Sequence, residues 1–375
     1  MQVKSLFQPL TARDVSLQNR IVMAPMSRYF SPEGIPGDNV AAYYAKRAKA
    51  GVGLIITEGI SLDYPIATDM PSIPRLSSEV VPAWKRVVDE VHAEGGVIFS
   101  QLWHQGPLRG ALTPDATLES QRPSGALGEI GKHSLNNDFV AKAGADTRPM
   151  TSEEIADVIS AYGRSAALAI EAGFDGVAIH AGHGYLIDSF LWGSTNRRTD
   201  QWGGDHRQRT RFAVEVIKAV RAAIGTSRPL QFRFSQHKSQ DYLARLAQTP
   251  QELEEVLAPL VSAGVDILDV STRYFDLPAF EGSDLSLAGW TKKLTGQITM
   301  AVGSVALSTR LEDSFRTGRS EAKNNIQIVL DRFDAGEFDL IGVGRALIAN
   351  PDFVTKLKTG EPFTDFRKDM LQTLI

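Results

Sequence analysis

Apolar runs recur along the chain, and each follows a glycine that ends a helix-like segment. The copies begin at Gly51, Gly95, Gly173, Gly264 and Gly336. A glycine commonly closes a helix, and an uninterrupted apolar run is typical of a parallel strand that is buried on both faces. Each copy therefore predicts a helix that turns into a buried parallel strand.

Further apolar runs fill the intervals between these copies, and together they predict a closed set of strands. The strands are expected near residues 20–25, 53–58, 97–102, 176–180, 230–235, 266–271, 298–302 and 339–343. Helical patterns separate them at 39–50, 79–94, 152–172, 206–224, 251–263 and 322–335. This alternation predicts an α/β protein, a (β/α)8 TIM barrel in a single domain over residues 1–375. A doubly wound open sheet is the alternative, but no Gly-x-Gly-x-x-Gly turn follows the first strand.

Two long segments interrupt the regular alternation. Residues 103–150 are rich in Gly, Pro, Ser and Asn, and they predict an insert or capping region after the third strand. Residues 271–290 follow the sixth strand and carry several aromatic side chains, with room for no more than a helical stub after Trp290. We expect both segments to shape a pocket on the catalytic face, although a loop packed by its own aromatics would need no ligand.

The composition narrows the class of protein further. The chain has 375 residues, a formal charge of −4 and no cysteine, which excludes disulfides, cysteine-ligated metal and a cysteine nucleophile. The near-neutral charge gives no reason to expect nucleic acid or an anionic membrane as a partner. We find no signal-peptide pattern at the start and no apolar run long enough to span a membrane. A cytoplasmic protein that acts on small molecules is the expectation, and a homo-oligomer is compatible with it.

The ends of the last two strands carry a pattern that is typical of phosphate sites. Gly303 and Ser304 follow the seventh strand, and Gly344 and Arg345 follow the eighth. In TIM barrels the loops after these strands often bind phosphate, because glycine lets backbone N–H groups approach an anion closely. The alternative is two glycine turns and an arginine paired with a carboxylate. The combination favours a phosphorylated ligand or cofactor.

The other strand ends place polar groups with little negative charge around the barrel mouth. Pro25, Met26 and Ser27 close the first strand, and Gln101 lies at the end of the third. Arg233 alternates with two phenylalanines on the fifth strand, so that it points away from them. A planar polar heterocycle suits this ring of groups. An ion pair inside the barrel explains Arg233 equally well.

The fourth strand opens into His180, His183 and Tyr185, for which three interpretations are open. The two imidazoles could share a metal ion, but a third ligand is missing, since Asp188 lies on the helix that follows. They could also be core histidines that bond to backbone. We favour a pair of donors for a substrate oxygen, with the Tyr185 phenol behind them as a general acid.

These motifs, taken together and in this order, resemble the old yellow enzyme family of FMN-dependent ene-reductases. The resemblance runs from Leu6 to Phe353. Its specific markers are Asn19-Arg-Ile-Val-Met-Ala-Pro-Met26, Gln101-Leu-Trp-His104, His180-Ala-Gly-His-Gly-Tyr-Leu186, Asn196-Arg-Arg-Thr-Asp-Gln-Trp-Gly-Gly204 and Gly342-Val-Gly-Arg-Ala-Leu347.

The resemblance implies noncovalent FMN with NAD(P)H as a transient hydride donor. The residues that it implies around the flavin are Pro25, Met26, Ser27, Gly59, Gln101, His180, Arg233, Gly303, Ser304, Gly344 and Arg345. His180, His183, Tyr185 and Tyr29 would bind the substrate. In such enzymes reduced flavin delivers hydride to the β-carbon of an activated alkene, and the tyrosine protonates the α-carbon. The implied substrates are α,β-unsaturated carbonyl compounds, with nitro compounds as a further class.

Departures from the family pattern leave alternatives open. Ser27 stands where relatives have Thr or a redox-tuning Cys, and Pro107 stands where many have Arg. Another FMN-barrel dehydrogenase, a flavin-binding protein without turnover and a histidine-ligated metallohydrolase remain competing hypotheses. The chain has no cysteine and is expected to be of the single-domain type, without the additional domains of larger relatives, so that NAD(P)H is expected to bind in the substrate cleft.

Overall fold

The computed structural model describes residues 3–109, 120–122 and 147–375. Its central feature is a closed barrel of parallel strands in sequential order, as the apolar pattern predicts. The strands are β1 (Ile21–Met23), β2 (Leu54–Ser61), β3 (Ile98–Trp103), β4 (Gly176–His180), β5 (Leu230–Ser235), β6 (Ile267–Ser271), β7 (Ile298–Val302) and β8 (Leu340–Val343). The (β/α)8 TIM-barrel prediction is therefore confirmed.

Helices surround the barrel and pack their apolar faces on it. They are α1 (Asp38–Lys49), α2 (Val81–Ala93), α3 (Ser152–Glu171), α4 (Leu186–Leu191), α5 (Arg211–Ile224), α6 (Pro250–Ser262), α7 (Leu287–Thr295), α8 (Leu311–Thr317), α9 (Ile326–Asp334), α10 (Arg345–Ala349) and α11 (Phe353–Thr359). Trp84 of α2 also packs on Phe174 in the turn before β4, with ring centroids 5.5 Å apart. In the described part of the chain, no helix combines the length and apolarity needed to cross a membrane.

The amino-terminal end of the barrel is closed by a feature that the apolar pattern did not predict. An antiparallel hairpin joins Leu10–Ala12 to Val15–Leu17. Its buried residues pack with those that point into the barrel, such as Leu54 and Phe99. Because this end is filled by side chains, the carboxyl ends of the strands are left to form the cavity.

The helices after the sixth and seventh strands differ from the prediction. The helix α7 begins at Leu287, inside the segment expected to be loop, because Ser286 caps it by accepting a hydrogen bond from Gly289 N. The helix α8 was not predicted; it has seven residues and buries only Ser314, so that no amphipathic pattern marks it. The last predicted helix starts at Ile326 rather than at 322.

Most of the predicted insert at 103–150 lies outside the described residues. The strand β3 ends at Trp103 and a short 3-10 turn covers Gly106–Leu108. Residues 120–122 and 147–149 pair as a two-stranded parallel sheet. The capping role of the insert and the single-domain assignment therefore remain predictions.

Candidate active site

A cavity of about 470 Å³ opens at the carboxyl ends of the barrel strands. Its size is within the usual range for a small-molecule or cofactor site. Every residue predicted from the sequence to contact cofactor or substrate lines it. These residues are Pro25, Met26, Ser27, Tyr29, Gly59, Gln101, His180, His183, Tyr185, Arg233, Gly303, Ser304, Gly344 and Arg345. The fold thus brings the predicted set to one place, although their individual roles remain predictions.

The segment after β1 is held by a carboxylate that lies beneath it. Glu58 Oε2 accepts hydrogen bonds from Arg28 N (2.9 Å) and Tyr29 N (3.4 Å). Tyr29 adopts a left-handed backbone conformation (φ 62°) and is 49% exposed at the cavity. Burial raises the pKa of Glu58 to about 7, against the effect of these hydrogen bonds and of Arg28. The turn that presents Tyr29 therefore depends on a buried acid that titrates near neutrality.

Arg233 is fixed inside the barrel by neighbours on β5 and β6. Its NH1 donates to Asp269 Oδ2 (3.2 Å), and its NH2 donates to Ser271 Oγ (3.2 Å). Gln231 Nε2 donates to the same Asp269 oxygen at 2.9 Å. The expectation of a barrel-internal ion pair is thus met, and the guanidinium also lines the cavity. The two interpretations of Arg233 are compatible.

The two histidines and the tyrosine form one cluster on the wall of the cavity. The ring centroids of His180 and His183 lie 5.0 Å apart at 85°, and those of His180 and Tyr185 lie 5.0 Å apart at 73°. Trp103 packs edge-on against Tyr185 at 4.9 Å. Imidazole and phenol polar atoms therefore meet within reach of one small ligand.

Burial and nearby cations determine the charge of these groups. The pKa of His180 is lowered well below its usual value, first by burial and then by Arg233. Burial also lowers the pKa of His183, with further contributions from the surrounding histidines and arginines. Burial raises the pKa of Tyr185. At neutral pH the imidazoles are uncharged and the phenol keeps its proton.

Backbone contacts hold the loop that carries His183 and Tyr185. His183 N donates to Ser235 Oγ (2.9 Å), and Gly184 N donates to Asp188 Oδ2 (2.6 Å). His183 itself has a left-handed backbone conformation, with φ 63°. Gly184 has a φ of 84°, a left-handed conformation that strains other residues, so that glycine is favoured there.

The opposite end of the cavity contains the predicted phosphate residues. Arg345 donates to the carbonyl groups of Thr309 (2.8 Å) and Arg310 (3.2 Å) and to Ser314 Oγ. Burial, followed by the charge of Arg273, lowers the pKa of Arg345 to about 10, so that it remains a cation at neutral pH. None of the described residues that line the cavity is Asp or Glu. An anion at this end would meet no carboxylate.

The comparisons with known proteins agree on one family. Residues 5–363 match the NADH:flavin oxidoreductase / NADH oxidase family. The chain is 32% identical to 12-oxophytodienoate reductase 7 of Oryza sativa subsp. japonica, over 94% of this chain and 87% of that protein. The old yellow enzyme homologue from Zymomonas mobilis has a similar structure, with a TM-score of 0.79, 27% identity and coverage of 98% and 96%. Morphinone reductase in complex with tetrahydroNAD is similar too, with a TM-score of 0.80, 26% identity and coverage of 98% and 94%.

The chain belongs to this family, the old yellow enzymes. It is accordingly an NAD(P)H-dependent oxidoreductase whose cofactor is noncovalent FMN. The expectations of fold, enzyme class and cofactor are confirmed.

The unpaired hydrogen-bond donors in the cavity of this old yellow enzyme suit the acceptor groups of FMN. Gln101 Nε2 and Arg233 Nε are buried and have no hydrogen-bond partner in the described part of the chain. Unpaired buried donors are costly, so that a ligand with acceptors along one edge satisfies them. Among the described residues, no group of His, Asp and Glu is arranged to hold a metal ion.

Among the residues that line the cavity of this old yellow enzyme and were missed by the sequence analysis are three polar side chains near the histidine cluster. Ser271 Oγ lies 2.8 Å from His183 Nε2 and links that ring to Arg233. Arg273 lies in the segment 271–290, where the sequence analysis considered only the aromatic residues. His237 follows β5 closely, and its position just beyond a strand end, two residues after Ser235, is the signal that could have revealed it.

Proposed function

We propose that the protein is an NAD(P)H-dependent ene-reductase that acts on α,β-unsaturated carbonyl compounds, with activated nitro alkenes as a second substrate class. The observation that carries this proposal is the cluster of His180, His183 and Tyr185 in the cavity that also contains Arg233. It provides donors for a substrate oxygen and a protonated acid in contact with them.

The imidazoles bind and polarise the electron-withdrawing group of the substrate. Both are uncharged at neutral pH, since burial and nearby cations lower their pKa values. A neutral imidazole donates one N–H, and two such donors at one oxygen stabilise the negative charge that develops there. Ser271 orients His183 by its contact with Nε2, so that the other ring nitrogen is left for the ligand.

Tyr185 supplies the proton. The raised pKa of its phenol means that the group is fully protonated when substrate binds. Transfer to a carbanion or enolate carbon remains favourable, because such a carbon is a stronger base than a phenolate. The edge contact with Trp103 and the contact with His180 restrict the ring to one orientation. Tyr29, which lies at the exposed rim, is proposed to cover the substrate.

The remaining lining residues hold the cofactor. Bound FMN supplies the redox chemistry, because it accepts hydride from NAD(P)H and passes hydride to the alkene. Arg233 and Gln101 bind the polar edge of its ring, with Pro25, Met26, Ser27 and Gly59 around it. Gly303, Ser304, Gly344 and Arg345 bind its phosphate. Since the Ser304 hydroxyl already contacts the carbonyls of Arg273 and Thr309, the contribution of Ser304 comes from its backbone.

Two of the competing hypotheses, another FMN-barrel dehydrogenase and a metallohydrolase, have less support. A dehydrogenase that removes hydride from its substrate needs a base. No carboxylate is among the described residues of the cavity, and the lowered pKa values of His180 and His183 make these imidazoles weak bases. A metallohydrolase needs a further ligand beside the histidines. Asp188, the nearest candidate by sequence, is instead paired with Lys238.

An anaerobic two-step titration tests the proposal. In one sample the chromophore is released from the purified protein and identified, and we expect it to be FMN. In another sample NADH or NADPH should bleach the visible flavin bands, and 2-cyclohexenone should then restore them. Restoration by oxygen but not by any enone or nitro alkene would contradict the ene-reductase proposal, and a colourless protein that does not take up FMN would contradict the cofactor site.

A further inference from the structure

His237 is a buried polar side chain in the cavity that the proposed reaction does not use. It is 8% exposed and lines the cavity beside His183. In the described part of the chain, no hydrogen bond reaches either of its ring nitrogens. Neither ring nitrogen is completely buried, so that both remain accessible from the cavity to a ligand that supplies the missing bond.

The position of His237 extends the oxygen-binding pair in one direction. Its ring centroid lies 5.1 Å from that of His183, at an angle of 36°. Tyr242 follows at 6.0 Å, and the Arg273 guanidinium lies over the Tyr242 ring at 4.3 Å. A ligand whose first oxygen contacts His180 and His183 therefore meets His237 a few ångströms further along the wall.

The charges around His237 favour an anionic acceptor. Burial lowers its pKa well below the usual value, and Arg273, Lys238 and Arg233 lower it further. Each of these cations has its own counterion: Glu312 for Arg273, Asp188 for Lys238 and Asp269 for Arg233. The three cations lower the pKa of the imidazole, which keeps the ring uncharged at neutral pH. His237 is thus a neutral N–H donor on a cavity wall whose described residues include arginines and no carboxylate.

We propose that His237 is the recognition residue of a second subsite, which binds a carboxylate carried by the substrate at the end opposite its polarised oxygen. The substrate class is then an activated alkene with a second, acidic group. This inference rests on the proposed function, because it takes the first oxygen to lie on His180 and His183. A hydrogen bond to a charged acceptor contributes enough to change affinity about tenfold or more.

The test uses ligands that bind without being reduced. Phenol, 4-hydroxybenzoate and 4-hydroxybenzamide are titrated into the FMN-loaded enzyme, and the dissociation constants are measured by calorimetry. We expect 4-hydroxybenzoate to bind about tenfold more tightly than phenol or the amide. His237→Phe removes both ring nitrogens and should abolish this preference. His237→Asn keeps an N–H donor and should retain part of it. His206→Phe, the same change at a histidine that lies outside the cavity, should leave the preference intact.

The outcomes separate this inference from the proposal on which it rests. A preference for 4-hydroxybenzoate that survives in His237→Phe would overturn the subsite, and so would equal binding of acid and amide by the wild type. A raised KM for NADH or NADPH in His237→Phe, with the ligand preference unchanged, would assign the residue to the coenzyme instead. Failure of the ene-reductase proposal would appear elsewhere, as no reoxidation by any alkene, while the binding preference still depended on His237.

Discussion

Lys238 Nζ lies 2.6 Å from Asp188 Oδ1, and both side chains are completely buried. The other Asp188 oxygen accepts from Gly184 N, in the loop between His183 and Tyr185. The Lys238 ammonium also donates to Ser235 O at the end of β5. One buried ion pair therefore ties the loop after β4, which carries the proposed acid, to the loop after β5.

Lys238→Met should destabilise the protein strongly. The substitution leaves the Asp188 carboxylate buried without its cation, and breaking a buried pair in this way costs about 3–5 kcal/mol. Urea denaturation of the FMN-loaded enzyme measures the loss. Lys85→Met breaks a surface pair with Asp89, whose partners are 61% and 58% exposed, and should change the free energy of unfolding by less than about 1 kcal/mol. Equal losses in the free energy of unfolding would show that the buried Lys238–Asp188 pair contributes no more to stability than the surface pair.

Glu58→Gln should remove a pH dependence of stability. The pKa of Glu58 is about 7 in the fold and its usual value is 4.5, so that the folded state binds more protons between these values. The contribution of protonated Glu58 to the stability of the fold is present in full below pH 4.5 and is lost as pH rises through 7. A shift of this size corresponds to about 3 kcal/mol.

The measurement compares Glu58→Gln with the wild type from pH 4.5 to 8. The stability difference should move in favour of the variant as pH rises. Glu254→Gln, at an exposed acid on α6, should follow the wild-type curve. Parallel curves for wild type and Glu58→Gln would mean that Glu58 does not titrate in this range.

Tyr185→Phe should separate the two halves of the proposed reaction. Reduction of the flavin by NAD(P)H requires no proton from Tyr185 and should proceed as in the wild type. Reoxidation by 2-cyclohexenone should slow by roughly 10²-fold or more, the usual contribution of a general acid. Stopped-flow absorbance measures each half-reaction. Tyr162→Phe makes the same change on α3, outside the cavity lining, and a matching loss there would remove Tyr185 from the acid role.

Arg345→Met should weaken the retention of FMN. A charged group that bonds a phosphate contributes about 1.5–3 kcal/mol, so that the dissociation constant should rise roughly 10- to 100-fold. Quenching of FMN fluorescence on titration into the apoprotein gives this constant. Arg316→Met removes an arginine that is 75% exposed and should have no effect. Unchanged affinity in Arg345→Met would exclude its guanidinium from the phosphate site.

Much of the fold was determined by local sequence. All five glycines that the apolar pattern identified as helix ends have positive φ angles, between 72° and 114°. Such a conformation is strained for other residues, so that the sequence itself marks where each helix stops and each strand begins. The parallel strands can likewise be recognised from local sequence, because each is buried on both faces and is therefore an uninterrupted apolar run.

The cavity residues were predictable where they occupy strand ends, since parallel strands in a barrel all end at the same face. Only the tertiary structure decided which of these groups pair with one another. Asp188 and Lys238 lie 50 positions apart, and His183 and Ser271 lie 88 positions apart. No periodicity connects such positions. Closing the barrel aligns β4, β5 and β6, and only then does the buried ion pair form and do the oriented imidazole of His183 and the ring of His237 line one cavity.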